Sequence, residues 1–227
     1  MNGTLVVVED VATAFAHHVL DQSKASSSTP FSLAFSGGST ARECYERLAV
    51  VGKSLDWSTI DGWWGDERCV PLDDPDSNFR LVDEALLSKV APLSSVHPMR
   101  SDASDADTAY DRLVRSAPPI DLIHLGLGPD GHTASLFPES EALQAPADRL
   151  VVFNTDPLGT NPHRRLTFTF EGISRCRTAV VTVSGASKTE ALHRVLDGDL
   201  TAPAARIECD ELIWLVDAAA LGSANGR

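Results

Sequence analysis

Short apolar runs alternate with longer amphipathic segments along the whole chain. The runs have the length of buried strands, and the segments between them carry apolar residues at the spacing of one helix face. Strands are predicted at 4–8, 31–35, 60–65, 120–125, 149–154, 165–170, 178–183 and 211–216. This alternation predicts a single-domain, Rossmann-like α/β fold, in which helices cover both faces of a mostly parallel sheet.

Polar residues mark where the predicted helices begin. Asp10 and Ser77 each precede a helical apolar pattern and have side chains that cap a helix N-terminus. Residues 40–43 and 187–190 each match a capping box, with Thr or Ser followed three positions later by Glu. A further helix is predicted to begin at Thr133, directly after a glycine-rich turn.

The length of the chain, 227 residues, suits one domain spanning 1–227. Its composition, 43% hydrophobic and 22% charged residues, is typical of a globular protein. No apolar run approaches the roughly 18 residues of a membrane-spanning helix, and the first residues lack the basic region of a signal peptide. We therefore expect a cytoplasmic protein, a monomer with no membrane contact.

Charge and cysteine spacing exclude further classes. The formal net charge of −13 argues against nucleic-acid partners, because their phosphates would be repelled. The four cysteines are scattered without a Cys-x-x-Cys pair, so neither a zinc site nor a disulfide framework is indicated. Any site for an anion must therefore be built locally from a few basic residues and backbone N–H groups.

A glycine loop, Ser36-Gly37-Gly38-Ser39-Thr40, follows the predicted strand at 31–35 and leads into a helix. Free N–H groups and the positive end of a helix dipole make this arrangement suitable for binding an anion. The loop matches neither the P-loop nor the dinucleotide fingerprint. A plain turn between strand and helix is the alternative interpretation.

The stretch from Gly126 to Pro138 carries the residues best suited to chemistry. It places His132, with Asp130 two residues before it, on a glycine-rich turn after the predicted strand at 120–125. The carboxyl ends of strands in open α/β sheets are where ligands bind. Without other evidence, His132 could equally be a turn histidine bonded to a backbone carbonyl.

A third charged segment, Asp66-Glu67-Arg68, ends the predicted strand at 60–65. It could be an exposed turn. However, the preceding Trp63 and Trp64 indicate heavy packing directly behind it, which would hold Asp66 and Arg68 in place.

Taken together, six segments resemble one family. They are Ser-Gly-Gly-Ser-Thr at 36–40, Gly-Asp-Glu-Arg-Cys-Val-Pro at 65–71, Ser-Asn-Phe-Arg at 77–80, Gly-Leu-Gly-Pro-Asp-Gly-His-Thr-Ala-Ser-Leu-Phe-Pro at 126–138, Pro-His-Arg-Arg-Leu-Thr at 162–167 and Gly-Ala-Ser-Lys at 185–188. Their identity and order resemble the glucosamine-6-phosphate isomerase/6-phosphogluconolactonase family, and within it the lactonases. The resemblance spans nearly the whole chain.

This resemblance implies hydrolysis of 6-phospho-D-glucono-1,5-lactone to 6-phospho-D-gluconate in the oxidative pentose phosphate pathway, with no cofactor and no metal. It implies that His132 is the general base and that Asp130 holds or assists it. Asp66 matches the carboxylate that serves as proton-abstracting base in the deaminases. The residues expected to bind substrate, chiefly its phosphate, are Ser36, Gly37, Gly38, Ser39, Thr40, Arg68, Arg165 and Lys188.

Two other functions fit the same fold. An isomerase or deaminase is disfavoured because Phe137 stands where the deaminases have a glutamate of their ring-opening machinery, and a phenyl ring cannot transfer protons. A sugar-phosphate sensor would need an attached DNA-binding domain, for which the net charge and the early first strand leave little support. Arg164 remains an alternative to Arg165 as the main phosphate contact, and His124 is expected to be structural.

Overall fold

Ten strands and seven α-helices make up the described part of the chain, residues 1–222 of a computed structural model. The strands are β1 (Thr4–Val8), β2 (Phe31–Phe35), β3 (Ile60–Trp64), β4 (Asp66–Arg68), β5 (Ser95–Val96), β6 (Leu122–Gly126), β7 (Val151–Asn154), β8 (Arg165–Phe168), β9 (Thr178–Val183) and β10 (Glu211–Asp217). The helices are α1 (Val11–Ala25), α2 (Ser39–Val51), α3 (Asn78–Ala85), α4 (Ala106–Ser116), α5 (Phe170–Ser174), α6 (Thr189–Leu196) and α7 (Ala218–Leu221).

Seven strands form one parallel sheet in the order β1-β10-β9-β6-β2-β3-β5. Every residue of β9 and the first four of β6 are buried. Because successive side chains of a strand point to opposite faces, this burial means that both faces of the central sheet are covered. The predicted α/β class is confirmed.

The strand order reverses between β2 and β6. From β2 the chain builds outward through β3 to β5, and it then returns to add β6, β9 and β10 on the other side of β2. In an open parallel sheet, such a reversal leaves a crevice beyond the carboxyl ends of the two strands, because their loops diverge there. The glycine loop after β2 and the His132 turn after β6 begin on either side of this crevice.

A second, antiparallel sheet in the order β4-β8-β7 was not predicted from the sequence. It pairs Asp66 with Thr167 and Arg68 with Arg165. The segment 66–68 is therefore a strand and not an exposed turn. Its pairing with β8 brings residues almost a hundred positions apart to the same side of the crevice.

Two predicted helix caps are confirmed. The Asp10 carboxylate accepts a hydrogen bond from Thr13 N–H at 2.5 Å, and Ser77 Oγ accepts one from Arg80 N–H at 3.2 Å.

Both predicted capping boxes are wrong, because neither α2 nor α6 has a side-chain hydrogen bond at its N-cap. The chain enters α2 through Gly38, with a φ of 99°, whereas Gly185, with a φ of 90°, begins a turn of 3-10 helix over 186–188 that leads into α6. The helix predicted at Thr133 is also wrong. Ala134 has a φ of 47°, and Thr133 instead forms an isolated bridge with Leu136.

Within residues 1–222, no helix combines the length and the apolarity needed to cross a bilayer.

His124 lies in the centre of the sheet and is completely buried. Burial lowers its pKa from 6.5 to about 3, so the folded protein holds it neutral. The unfolded chain takes up a proton below pH 6.5 and the folded chain does not. The contribution of His124 to the free energy of unfolding must therefore decrease as the pH falls from 6.5 towards 3, by up to about 1.4 kcal/mol per pH unit.

We expect His124→Phe to lose less stability on acidification than wild type. The difference is the pH-dependent contribution of His124 to the free energy of unfolding. The phenyl ring can keep the stacking on Phe15, whose centroid lies 4.0 Å from that of His124. Urea unfolding at several pH values between 6.5 and 4.5 measures the slope. His17→Phe, at an exposed position, is the matched control and should keep the wild-type slope. Equal slopes for wild type and His124→Phe would contradict the prediction.

Candidate active site

A cleft of about 200 Å³ opens at the crevice between β2 and β6. The residues expected to be catalytic or to bind substrate all line it except Asp130, which is hydrogen-bonded to His132. The lining residues from that set are Ser36, Gly37, Gly38, Ser39, Thr40, Asp66, Arg68, His132, Arg165 and Lys188. Tertiary folding therefore brings residues from five separate sequence segments to one site.

The glycine loop forms one wall of this cleft. Gly37 approaches Asn78 so closely that a Cβ there would lie 1.9 Å from Asn78 Oδ1, so only glycine fits. Gly38, with its φ of 99°, turns the chain into α2 without a side-chain cap. The first N–H groups of α2 are therefore left for a ligand, and the helix dipole favours an anion at this position.

His132 is held by Asp130. Its Nδ1 lies 2.5 Å from Asp130 Oδ1, and the same oxygen accepts a hydrogen bond from the His132 backbone N–H at 3.1 Å. Burial by itself would raise the pKa of Asp130, but the bonds from His132 lower it below its ordinary value. An ionised carboxylate only accepts, so the shared proton belongs to Nδ1. The lone pair of the neutral imidazole is then on Nε2.

The His132 turn is supported on two sides. Gly128 lies so close to the imidazole that a Cβ there would be 2.1 Å from His132 Nδ1. Arg194 donates from Nη1 to the Asp130 backbone oxygen at 2.9 Å, and its other nitrogens donate to Asp199 and Thr201. The guanidinium of Arg194, each of whose three nitrogens donates a hydrogen bond, thus fixes the backbone of the turn.

Three cationic side chains face the cleft. Arg68 donates from Nη1 to Asn78 Oδ1 at 2.5 Å and to the Asp76 backbone oxygen at 3.0 Å. Arg165 is buried, donates from Nη2 to the Pro162 oxygen at 2.9 Å and has no partner for Nε in the described part of the chain. The Lys188 ammonium has no hydrogen bond or ion pair with residues 1–222, and burial lowers its pKa.

Arg164, the alternative to Arg165, points elsewhere. Its guanidinium carbon lies 3.7 Å from the centroid of the Phe153 ring, its side chain is exposed, and it does not line the cleft. Arg164 directly precedes β8, and of the two arginines only Arg165 lines the cleft.

Asp66 is buried, and both of its side-chain oxygens are hydrogen-bonded. Oδ2 accepts from Ser135 Oγ at 2.6 Å, and Oδ1 accepts from Asn78 Nδ2 at 3.2 Å. Neither partner was identified from the sequence as a site residue. Both lie inside motifs that carry the family resemblance, and a check for polar residues within those motifs would have found them.

Glu67 is a structural residue of the site that the sequence did not reveal. It is fully buried, and its two oxygens accept backbone N–H groups of Arg68, Asn78 and Phe79, each at 2.7 Å, and the Ser77 hydroxyl at 3.0 Å. This one carboxylate fastens β4 to the start of α3. It thereby sets the position of Asn78, and through Asn78 that of Arg68.

Comparison with known proteins identifies the family of this chain. The family model described as glucosamine-6-phosphate isomerases/6-phosphogluconolactonase matches residues 7–214. The chain belongs to this family. A 6-phosphogluconolactonase from Synechocystis sp. is 42% identical over 202 residues, covering 82% of this chain and 81% of that protein.

Solved structures of the same family share the fold. A 6-phosphogluconolactonase from Thermotoga maritima has a TM-score of 0.83 at 29% identity, covering 95% of this chain and all of that one. One from Trypanosoma brucei has a TM-score of 0.85 at 26% identity, covering 98% and 99% of the two chains. The family resemblance read from the sequence motifs is confirmed.

Phe137 packs beside His132 in the cleft. It is buried, its ring centroid lies 5.1 Å from that of His132 in an edge-on arrangement, and the Arg165 guanidinium carbon lies 5.9 Å from it. The ring gives His132 an apolar neighbour and offers no group that transfers protons.

We expect Gly128→Ala to displace the His132 ring while the fold is kept. The added methyl would overlap the imidazole, which can rotate away at the cost of its bond to Asp130. The low-field NMR signal of the Nδ1 proton should then disappear, with little change in the melting temperature. Gly126→Ala is the matched control, because its methyl would meet no atom within 4 Å. Retention of the signal in Gly128→Ala would contradict the prediction.

Proposed function

We propose that the chain hydrolyses 6-phospho-D-glucono-1,5-lactone to 6-phospho-D-gluconate, the lactonase step of the oxidative pentose phosphate pathway. The observation that supports this most strongly is the His132–Asp130 pair in a cleft that also holds Arg68, Arg165 and Lys188. A base beside a cluster of cations suits an ester substrate that carries a phosphate. The family's lactonase relatives support the same reaction.

His132 is the general base of the proposed mechanism. Its Nε2 takes a proton from a water molecule, and the oxygen of that water bonds to the lactone carbonyl carbon. The tetrahedral intermediate collapses by breaking the bond to the ring oxygen, which receives the proton back from the imidazolium. A histidine suits both transfers, since its ordinary pKa lies close to neutral pH.

Asp130 supports this cycle by orientation and charge. Its bond to Nδ1 fixes the tautomer in which Nε2 can accept a proton, and its negative charge stabilises the imidazolium that forms. The carboxylate does not need to take the proton itself.

The phosphate is bound by the glycine loop, Arg165 and Lys188, with Arg68 as a further substrate contact. Loop N–H groups and cations together hold a dianion by charge-assisted hydrogen bonds. Concentrating these groups in the cleft overcomes the unfavourable field of a chain with a net charge of −13. Holding the phosphate away from the carbonyl orients the ring without taking part in bond making.

Asp66 has a supporting role in this proposal. Ser135 and Asn78 occupy its oxygens, and its negative charge favours the protonated form of the buried Arg165 against desolvation. In this proposal Asp66 is thus a charge partner of Arg165 and not a second base. We also propose that the enzyme acts as a monomer in the cytoplasm.

The deciding experiment compares hydrolysis of freshly generated lactone by wild type, by His132→Ala and without protein, since the lactone also opens spontaneously. We expect kcat to fall by about 100-fold or more in His132→Ala, because a general base contributes at least this factor. Affinity for 6-phosphogluconate should stay within a few-fold. If wild type only matched the spontaneous rate yet bound 6-phosphogluconate, the protein would be a sugar-phosphate sensor.

Lys188→Ala should raise KM for the lactone by about 10-fold or more and change kcat little, because it removes one charge-assisted contact to the phosphate. Lys53→Ala, at an exposed position outside the cleft, is the matched control. Steady-state kinetics at two salt concentrations measure both variants, and the effect of Lys188 should shrink at high salt. An unchanged KM would remove Lys188 from the phosphate site.

A further inference from the structure

Beneath the cleft, four residues form one continuous chain of hydrogen bonds. The Ser36 backbone N–H donates to the Tyr45 hydroxyl at 2.7 Å, and that hydroxyl lies 2.8 Å from His124 Nδ1. On the other side of the ring, His124 Nε2 lies 2.9 Å from Thr182 Oγ1. All four residues are buried, and the two at the ends, Ser36 and Thr182, line the cleft.

The direction of this chain follows from the donors and acceptors available. His124 is neutral, so one ring nitrogen donates and the other accepts. The Tyr45 hydroxyl hydrogen can go to His124 Nδ1 at 2.8 Å or to the Ser36 oxygen at 3.3 Å. The tautomer that gives this hydrogen to Nδ1, its shorter contact, places the ring proton on Nε2. In this tautomer His124 donates to Thr182 Oγ1.

This direction leaves the hydroxyl hydrogen of Thr182 to be donated elsewhere. No nitrogen or oxygen within residues 1–222 accepts it. The nearby Cys44 sulfur can interact with the hydroxyl, but a thiol is a weak acceptor. Thr182 is thus a buried donor whose best available partner is a ligand in the cleft it lines.

The neighbouring strand leaves room for such a ligand. Thr182 pairs with Gly126 of β6, where a Cβ would meet no atom within 4 Å. Gly126 also lines the cleft. The floor of the cleft therefore has an open space beside the Thr182 hydroxyl, since the glycine opposite it has no side chain.

We infer that Thr182 binds the sugar phosphate by donating its hydroxyl hydrogen to a substrate oxygen, and that His124 and Tyr45 position it for this. The inference rests on the proposed function, because it takes that substrate as the ligand. Thr182 is then a binding residue, and His124 is a positioning residue that acts through it. The same chain of hydrogen bonds connects Thr182 to the backbone of Ser36 in the glycine loop.

Three variants test the hydroxyl. Thr182→Val removes it at nearly constant shape and should weaken binding of 6-phosphogluconate by about 5-fold or more, the value of one hydrogen bond of about 1 kcal/mol. Thr182→Ser keeps the hydroxyl and should bind like wild type. Thr178, at the other end of β9, donates its hydroxyl hydrogen to Glu211. Thr178→Val is therefore the matched control and should bind 6-phosphogluconate like wild type. Titration calorimetry measures all three, and circular dichroism checks their folding.

His124→Phe tests the positioning role through a double-mutant cycle. Alone it should raise KM for the lactone, whereas in the Thr182→Val background it should add almost nothing. The pH profile of kcat/KM should stay that of wild type, because His132 is untouched. A merely structural role for His124 predicts additive losses instead.

Two results would overturn the inference. The first is an unchanged affinity of Thr182→Val for 6-phosphogluconate. The second is that Thr182→Ser binds as weakly as Thr182→Val, which would mean that the packing of the threonine methyl group, and not the hydroxyl, accounts for the loss. If Thr182→Val does not fold, Thr182→Ala removes the same hydroxyl and is judged in the same way. Wild type is assayed first for lactone hydrolysis and for binding. Failure there overturns the proposed function, whereas an active wild type with an unaffected variant overturns only the role of Thr182.

Discussion

Leu33 pairs with Leu122, and Ala34 with Ile123, where β2 and β6 run side by side at the centre of the sheet. The cleft depends on this short parallel contact. It aligns the carboxyl ends of two strands at which the order of the sheet reverses. The glycine loop and the His132 turn, which follow these strands, therefore face each other. The pairing of β4 with β8 then adds Arg68 and Arg165. The backbone hydrogen bonds of these two strand pairings thus bring the glycine loop, the His132 turn, Arg68 and Arg165 to the same cleft.

Electrostatics within the cleft are organised by hydrogen bonding of the carboxylates. Asp66, Glu67 and Asp130 each accept hydrogen bonds from neighbouring groups of the protein. Donors of the protein itself therefore stabilise these carboxylates. The cations, by contrast, keep donors available for a ligand. An acidic chain can therefore present a local anion site, because short-range donors act over a few ångströms where the net charge is a distant, screened background.

The two histidines near the cleft show how environment divides one chemistry into two roles. His132 is half-buried with a carboxylate on Nδ1, an arrangement that stabilises an imidazolium. His124 has only neutral hydroxyl partners in the core, and burial keeps it uncharged. The first can exchange protons with a ligand, whereas the second can only direct hydrogen bonds. Their sequence contexts already differ, since His124 lies within a predicted strand and His132 on a glycine-rich turn.

The sequence by itself determined every strand of the parallel sheet except the two-residue β5, the caps at Asp10 and Ser77, the family and ten of the residues that line the cleft, because apolar periodicity, cap chemistry and motifs are local. Tertiary structure decided the strand order, the antiparallel sheet, the placement of Arg165 and Thr182 at the cleft, and the hydrogen bonds from Ser135 and Asn78 to Asp66. It also overruled the capping boxes and the helix at Thr133, where positive φ angles turn the chain instead. These features depend on pairing between residues far apart in the chain, and no local pattern records which strand will become a neighbour.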